Sequence, residues 1–597
     1  MKILSFISCL TLLILAASCG GDAVDEDQVS TNPDELVKVE GGKFDGGIMR
    51  LNSIEDYTSL FPASINDIYS THIASQGYEG LLRLNQKTLE VEPCLAESFD
   101  IDKDKTTYTF HLRKGVKYID DECFADGKGR EINAEDFKYC FEFLCSNNQE
   151  NKWTSLFRDR LVGANEYADG SATTVAGINV IDTYTLELEL INPFSGFPNL
   201  LTILAAAVYP KEAIDTYGYD GMQNKIVGSG PFIPTEIENG SKVIFVKNKN
   251  YWRKDEFGNQ LPFLNQVEFT FIKDKNAELK AFQEDELDMI WGIPVEEIQN
   301  IMGSLEEAKD GLNKEFEVQS INSLNVQYYG FLYTSEVFSD VRVRRAFNYA
   351  IDRDSLTSFV LQGEGSPAHN GFVPEMSGYP SSSVKGFDYD PEMAKKLMKE
   401  AGFPNGNGFP EITLNLNASG GVNEKIADAL TYMLNKNLGV NIALNVMPMS
   451  ELHPKVERGE VDFWRFGWIA DYPDPQNFLY LFHGKNIIES KETSINYFRY
   501  SNPEFDKVYE EALLEIDTEK RMKLYAQADQ ILMDDAVIMP LFFNIDIRLI
   551  DPDIQDFDIN EMEYRDLSVV YYKKINKGNV RVYDNLEDEE TIQEEKN

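Results

Sequence analysis

The first clear alternation is YTFHLR, 108–113. Tyr108, Phe110 and Leu112 fall on one face of a strand, and Thr109, His111 and Arg113 on the other. Asn133 then suits the N-cap of a helix that starts at Ala134. In VRVRRAFNYAID, Val343, Ala346, Phe347 and Ala350 keep helical spacing. In DPEMAKKLMKEAGF, Asp390 caps, Pro391 takes the first turn and Gly402 closes the helix. Between 411 and 467 the period switches repeatedly. Ile412, Leu414 and Leu416 alternate as a strand, and 423–438 reads as a helix. Ile442, Leu444 and Val446 form a second strand, a short helix over 449–458 ends at Gly459, and VDFWRF (461–466) is a third strand. This β-α-β-α-β run requires parallel strands with right-handed crossovers, half of a doubly wound sheet. One unit recurs: KAFQEDELDMI (280–290) and KVERGEVDFWR (455–465) share a helix end, a turn, an acidic residue, an apolar residue and Asp. Gly459 suits the helix-closing turn, and Asp285 in the first copy is the less favourable residue. Two such units far apart predict two α/β lobes.

Length agrees with that division. A chain of 597 residues exceeds one domain of about 100–200 residues, and 43% apolar with 12% aromatic residues can fill two cores. The net charge of −44 sets nucleic acid aside as a partner. It gives either a solvated acidic surface or a field that draws cationic ligands toward a cleft. At the N-terminus, Lys2 precedes an apolar stretch over 3–17, too short to span a bilayer but suited to a signal-peptide core. Ala16, Ala17 and Ser18 precede Cys19, and Gly20 and Gly21 follow. This resembles a bacterial lipoprotein processing site, which implies cleavage before Cys19 and acylation of its thiol. Ala16 stands where such sites usually carry Leu, and Leu15 lies one position earlier. No later segment is long and apolar enough to cross a membrane. Residues 19–42 are expected to be a tether and 576–597 an acidic tail. Four cysteines remain in the body: Cys94, Cys123, Cys140 and Cys145. Export permits disulfides, and the three possible pairings stay open, although Cys140 and Cys145 lie on different faces of one helix. No CxxC or HxxxH spacing supports zinc.

In open α/β sheets, ligands sit beyond the carboxyl ends of the strands. The strand 461–466 leads into GWIADYPDPQNF, which puts Gly467, Trp468, Asp471 and Tyr472 at that position. Trp468 and Tyr472 offer flat apolar faces with polar tips. A carboxylate on so stiff a loop, shielded in a closing cleft, binds an ammonium strongly. Asp474 is assigned to the turn before Pro475. A second candidate is GSGPF (228–232), where Ser229 and Gly230 either bring backbone close to the cleft or form a tight structural turn. There is no GxxxxGK[ST], HExxH or GxSxG, and the five histidines are scattered. A binding protein without cofactor or metal is expected, not an enzyme.

Several segments together resemble a known family. They are YEGLLRLNQKTLEVEPCLAESFDIDKDKTTYTFHLRKGVKY (78–118), INAEDFKY (132–139), VGSGPF (227–232), KNKNYW (247–252), DVRVRRAFNYAIDR (340–353), YDPEMAKKLMKEAGFP (389–404) and GWIADYPDP (467–475). In this order they are similar to the extracellular solute-binding proteins of family 5 of ABC transporters, the peptide, dipeptide and nickel class. The resemblance implies a bilobal α/β clamshell of the periplasmic-binding-protein type with an extra N-terminal subdomain. Its parts would be a signal peptide (1–18), first-lobe segments 43–77, 191–295 and 536–575, the subdomain 78–190, and a second lobe 296–535. It implies a monomer that closes on its ligand and docks on a permease whose partner subunits hydrolyse ATP. The body would be held at the membrane by the lipid on Cys19, facing the periplasm or the cell surface. It also implies that Asp471, in the Ala470-Asp471-Tyr472 element, pairs with a peptide's α-ammonium, and that Trp468 walls the cleft. A sugar, a metal chelate or haem on the same scaffold, or a surface peptide receptor without transport, are the alternatives. Two departures from the family pattern are Asp285 and a longer segment, 119–131, carrying Cys123.

Overall fold

A computed structural model describes residues 36–294, 297, 301, 316–361, 363–417, 422–487, 493 and 495–574. The expectations for the signal segment, Cys19 and the acidic tail lie outside the described residues. The fold is the bilobal α/β clamshell. In the first lobe, strands Phe232–Glu238, Lys242–Lys247 and Gln266–Thr270 run antiparallel, and Ile48–Asn52 adds parallel to the last. A second, antiparallel sheet joins Ala96–Ile101, Thr107–Leu112, Thr185–Glu189 and Ile178–Asp182 in that spatial order. Helix Ala134–Cys145 packs on it. Asn133 caps that helix, accepting from the Glu135 amide at 2.9 Å, while Asp136 accepts from the Asn133 amide at 3.0 Å. Both orphan ends of the first turn are thereby satisfied. Tyr108, Phe110 and Leu112, all from the predicted apolar face, join Phe137 and Phe141 in one core. Each fully buried ring of this kind stabilises the fold by about 1.5–3 kcal/mol. Cys94, Cys123, Cys140 and Cys145 are all free thiols, and three of them are buried. They behave as small apolar side chains.

The second lobe is built on a seven-stranded sheet. Its spatial order is Met289–Trp291, Ile538–Ile550, Glu317–Phe331, Phe463–Ile469, Ile412–Asn417 and Ile442–Met447, with Gly365–Pro367 beside Ile538–Ile550. Strand 412–417 is parallel to both 442–447 and 463–469, as the β-α-β-α-β pattern requires. Helices Val341–Tyr349, Pro391–Glu400 and Val422–Leu438 cover one face, and Pro503–Leu514 and Thr518–Asp534 the other. Asp390 caps its helix through the Met393 amide at 2.9 Å, and Gly402 sits at φ 100° just past the helix end. The recurring unit keeps one geometry in both copies: Asp285 (φ 60°) and Gly459 (φ 68°) each turn left-handed between helix and strand. Aspartate tolerates that region better than most side chains.

Two long strands link the lobes. Glu317–Phe331 and Ile538–Ile550 pair antiparallel, and the far end of the second meets Met289, a residue of the first-lobe core. Their register breaks in the middle. Asn322 pairs with Ile545 and Val326 with Phe543, so residues 323–325 face Asn544 alone. Such a bulge is where a ribbon bends, and it lies beside the site described next.

Candidate functional site

Strand Phe463–Ile469 is longer than its apolar alternation suggested. Gly467 and Trp468 lie within it, paired with Gln327 and Val326, and do not stand beyond its carboxyl end. Glycine reads as a break in sequence, but cross-strand pairing carries the strand through it. Gly467 has a steric reason: a Cβ there would stand 2.8 Å from Gln327 Oε1. Of the four predicted residues, only Asp471 and Tyr472 lie past the strand. On its other side the strand is paired to 412–417 only at Phe463 and Trp464. Among the described residues, 465–469 therefore have no strand partner on that edge.

Asp471 is held by a single amide. Asn477 Nδ2 donates to Asp471 Oδ2 at 3.0 Å, and Asn477 Oδ1 accepts from the Asp471 amide at 3.1 Å and from Trp468 Nε1 at 3.0 Å. Asn477 is fixed by the short helix Gln476–Leu479, which Asp474 starts by accepting from the Gln476 amide at 2.9 Å. Asp474 is thus the turn-former expected of it. Trp468 sits edge-on to Tyr480, ring centroids 5.9 Å apart. Asp471 is an exposed residue, yet protein crowds its carboxylate over the range at which charge is felt. That desolvation raises its pKa, and the bond from Asn477 opposes the rise. No cation of the described residues pairs with it.

Two positions before Gly467, Arg465 lies on the same face. Its guanidinium donates to Asn417 Oδ1 at 3.0 Å and to Gln327 Oε1, and Gln327 Nε2 donates onward to Asn325 Oδ1 at 2.7 Å. Burial lowers the Arg465 pKa. Its hydrogen-bond partners are neutral amides, so the charge lacks a counter-ion among the described residues. The signal for it was present in sequence: a lone cation between Trp464 and Phe466 in an apolar run.

The other predicted residues are used differently. Tyr472, 4% exposed, joins the first-lobe core although its loop belongs to the second lobe, and its hydroxyl donates to Gln476. It is a contact between the lobes. Ser229, 2% exposed, donates to Glu79 at 2.8 Å. Glu79 also accepts from Tyr251 at 2.7 Å and Trp252 at 3.0 Å, a network closed within the first lobe. Gly230 donates to the Gly77 carbonyl at 3.0 Å, and a Cβ there would meet Gly77 at 2.6 Å. The GSGPF segment is a packing junction, separate from the Asp471 loop.

A cavity of about 100 Å³, which no sequence pattern announced, opens by the hinge. It is lined by Asn52, Tyr69, His72, Lys275, Trp291 and Arg565, among others. Nearby, the Leu324 amide donates at 2.8 Å to the carbonyl of Glu561, two residues before the cavity-lining Glu563, and the Ala470 amide donates to the Leu324 carbonyl at 2.9 Å.

Comparison with known proteins gives this arrangement a context. Residues 90–490 match the family described as bacterial extracellular solute-binding proteins, family 5 Middle. The oligopeptide-binding protein OppA of Bacillus subtilis is 30% identical over 515 residues, covering 85% of this chain and 89% of that protein. The crystal structure of a periplasmic oligopeptide-binding protein, OppAIV, from Borrelia burgdorferi superposes with a TM-score of 0.72 at 27% identity. It covers 88% of this chain and 99% of that one. The periplasmic binding protein DppA from Helicobacter pylori, in complex with the peptide STSA, gives a TM-score of 0.72 at 25% identity over 89% of this chain and 99% of its own. These are binding proteins, not enzymes.

Proposed function

The chain belongs to the bacterial extracellular solute-binding proteins of family 5, and from that premise we propose that it captures short peptides outside the cytoplasm and delivers them to an ABC importer. The observation that carries the reading is Asp471: a carboxylate on an exposed residue, fixed by Asn477, in a desolvating cleft and with no cation of the described residues paired to it. A peptide's α-ammonium supplies the missing charge. Arg465, held by neutral amides, supplies the complementary site for a carboxylate end. The open edge of 465–469 lies between the two, and an extended ligand can add to it as a strand. Main-chain pairing of that kind gives affinity without reading side chains. Six residues of extended chain separate the charges by at most about 20 Å, which suits a short peptide.

The bound relatives support the ligand class, since the Helicobacter protein holds a peptide. Anchoring by acylation at Cys19, the lobe boundaries near 296 and 535, a monomeric state and a permease with ATPase subunits complete the proposal. Replacement of Cys19 by Ala is expected to move the protein from the membrane to the soluble fraction; retention in the membrane rejects the anchor. For the ligand, calorimetry with free and N-acetylated forms of one tripeptide is the test. Free peptide is expected to bind at least about 30-fold tighter, the cost of leaving a shielded charge unpaired. Equal affinities reject the ammonium role, and native mass spectrometry showing a non-peptide ligand rejects the peptide reading.

A further inference from the structure

We propose that Tyr472 is a positioning residue that makes the ammonium site at Asp471 conditional on closure of the two lobes. The inference rests on the peptide reading and adds to it a coupling between the charged end of the ligand and the shape of the molecule.

Adjacent residues of one loop serve opposite lobes. Asp471 is exposed, while Tyr472, next to it, is 4% exposed and joins the first-lobe core. Of the described residues between Met289 and Ile550, Tyr472 alone is a buried member of that core. The carboxylate and the ring therefore belong to different surroundings although one peptide bond joins their residues.

The same loop is tied into the second lobe. The Tyr472 hydroxyl donates to Gln476 Oε1, and Gln476 Nε2 donates to the Tyr509 hydroxyl at 2.7 Å. Tyr509 is buried in the second-lobe core, stacked on Phe505 with ring centroids 5.9 Å apart. Leu513, one helical turn beyond Tyr509, is half-buried and packs against the cores of both lobes. Gln476 opens the short helix whose next residue, Asn477, holds Asp471. The loop is thus a strut with its ring in one lobe and its helix in the other, and Asp471 stands at the ring end.

The strut is stiff. Pro473 and Pro475 fix the backbone on either side of Asp474, and Asp474 accepts from the Gln476 amide at 2.9 Å. A loop so constrained moves as a unit. Separation of the lobes withdraws the Tyr472 ring from its seat and exposes apolar surface, which is unfavourable. Asp471 then keeps its bond to Asn477 but loses its fixed place against the first lobe. With that place goes the crowding that shields a charge pair from water. An ammonium is bound tightly only in the seated form, and by reciprocity a bound ammonium favours closure.

The test is calorimetry on the full chain with free and N-acetylated forms of one tripeptide, for the wild type, Tyr472→Ala and Tyr472→Phe. Small-angle scattering of each protein, saturated with free peptide, gives its radius of gyration. In the wild type, free peptide is expected to bind at least about 30-fold tighter. In Tyr472→Ala that ratio is expected to fall at least about fivefold, because a charge pair needs its geometry held. The saturated variant is expected to be larger than the saturated wild type. Tyr472→Phe keeps the ring and loses one hydrogen bond, so it should keep the wild-type size and a ratio within about twofold. Were Tyr472→Ala to fail to fold, Tyr472→Leu, which keeps apolar bulk without the ring, gives the same comparison. Equal losses for free and acetylated peptide in Tyr472→Ala would make Tyr472 a packing residue and overturn the proposal. So would a fallen ratio at unchanged size, which separates the ammonium site from closure. The wild type alone decides the peptide reading: equal binding of the two peptides there rejects the ammonium role, and the coupling with it.

Discussion

The Asp471 loop and the hinge cavity both hold carboxylates, and they are built in opposite ways. The first is local: a strand end, a Pro-Asp turn and one short helix fix a single carboxylate through Asn477, all within residues 463–479. The second is assembled from segments as distant as His72 and Glu563, 491 positions apart. In the proposed function, the rigid local carboxylate takes the part every peptide shares.

That contrast makes its first and largest prediction. Asp471→Asn is expected to weaken every free peptide by about 30-fold or more, about 2–5 kcal/mol. It should do so irrespective of sequence, and N-acetylation of the ligand should then cost little further. Calorimetry on several unrelated peptides checks this. If the loss depends on ligand sequence, Asp471 does not hold the group that every free peptide shares. Arg465→Gln comes next. It is expected to cost about tenfold for peptides with a free carboxylate, at about 1.5–3 kcal/mol for a charge-assisted hydrogen bond, and almost nothing for C-terminal amides. Equal losses for acids and amides would make Arg465 a packing residue.

Legibility follows the same contrast. Where a pattern is local, the residues declare it: Asn133 and Asp390 cap helices where their spacing placed them, and the 412–469 crossovers are parallel as the periodicity demands. The place of Asp471 past a strand's carboxyl end was legible because it follows from topology. Gly467 and Trp468 misled, since a glycine after an apolar run reads as a strand end, while pairing with Gln327 and Val326 carries the strand on. Tyr472 misled for a different reason. Its side chain belongs to a core of the other lobe, and no local signal reports that. The cavity has no periodicity at all, because its walls come from separate strands and loops. Arg465 was visible as a cation in an apolar strand, but amide partners 48 and 138 positions away decide its role.

The smallest expected effect concerns the buried carboxyl groups around the hinge. In the unfolded chain, aspartate and glutamate titrate near 4. In the fold, burial raises Asp546 and Glu364 to about 6 and Glu563 to about 7. Around Glu563 stand Arg565, Lys275, neutral His72 and Asp546, and these cations do not reverse the rise. A carboxyl group with a raised folded pKa holds its proton longer in the fold than in the unfolded chain. Its contribution to stability is complete below about pH 4 and is lost as pH rises through about 6 to 7. The ligand-free protein is therefore expected to lose on the order of 1 kcal/mol per group between pH 5 and pH 8. Chemical denaturation across that range reads the slope, and Asp546→Asn should flatten part of it. Asp529, raised to about 6 in the second lobe, contributes a background slope that this variant leaves in place. His72, whose pKa burial lowers, adds a slope of opposite sign that the variant also leaves in place. A slope unchanged by Asp546→Asn would show that Asp546 does not hold its proton longer in the fold than in the unfolded chain.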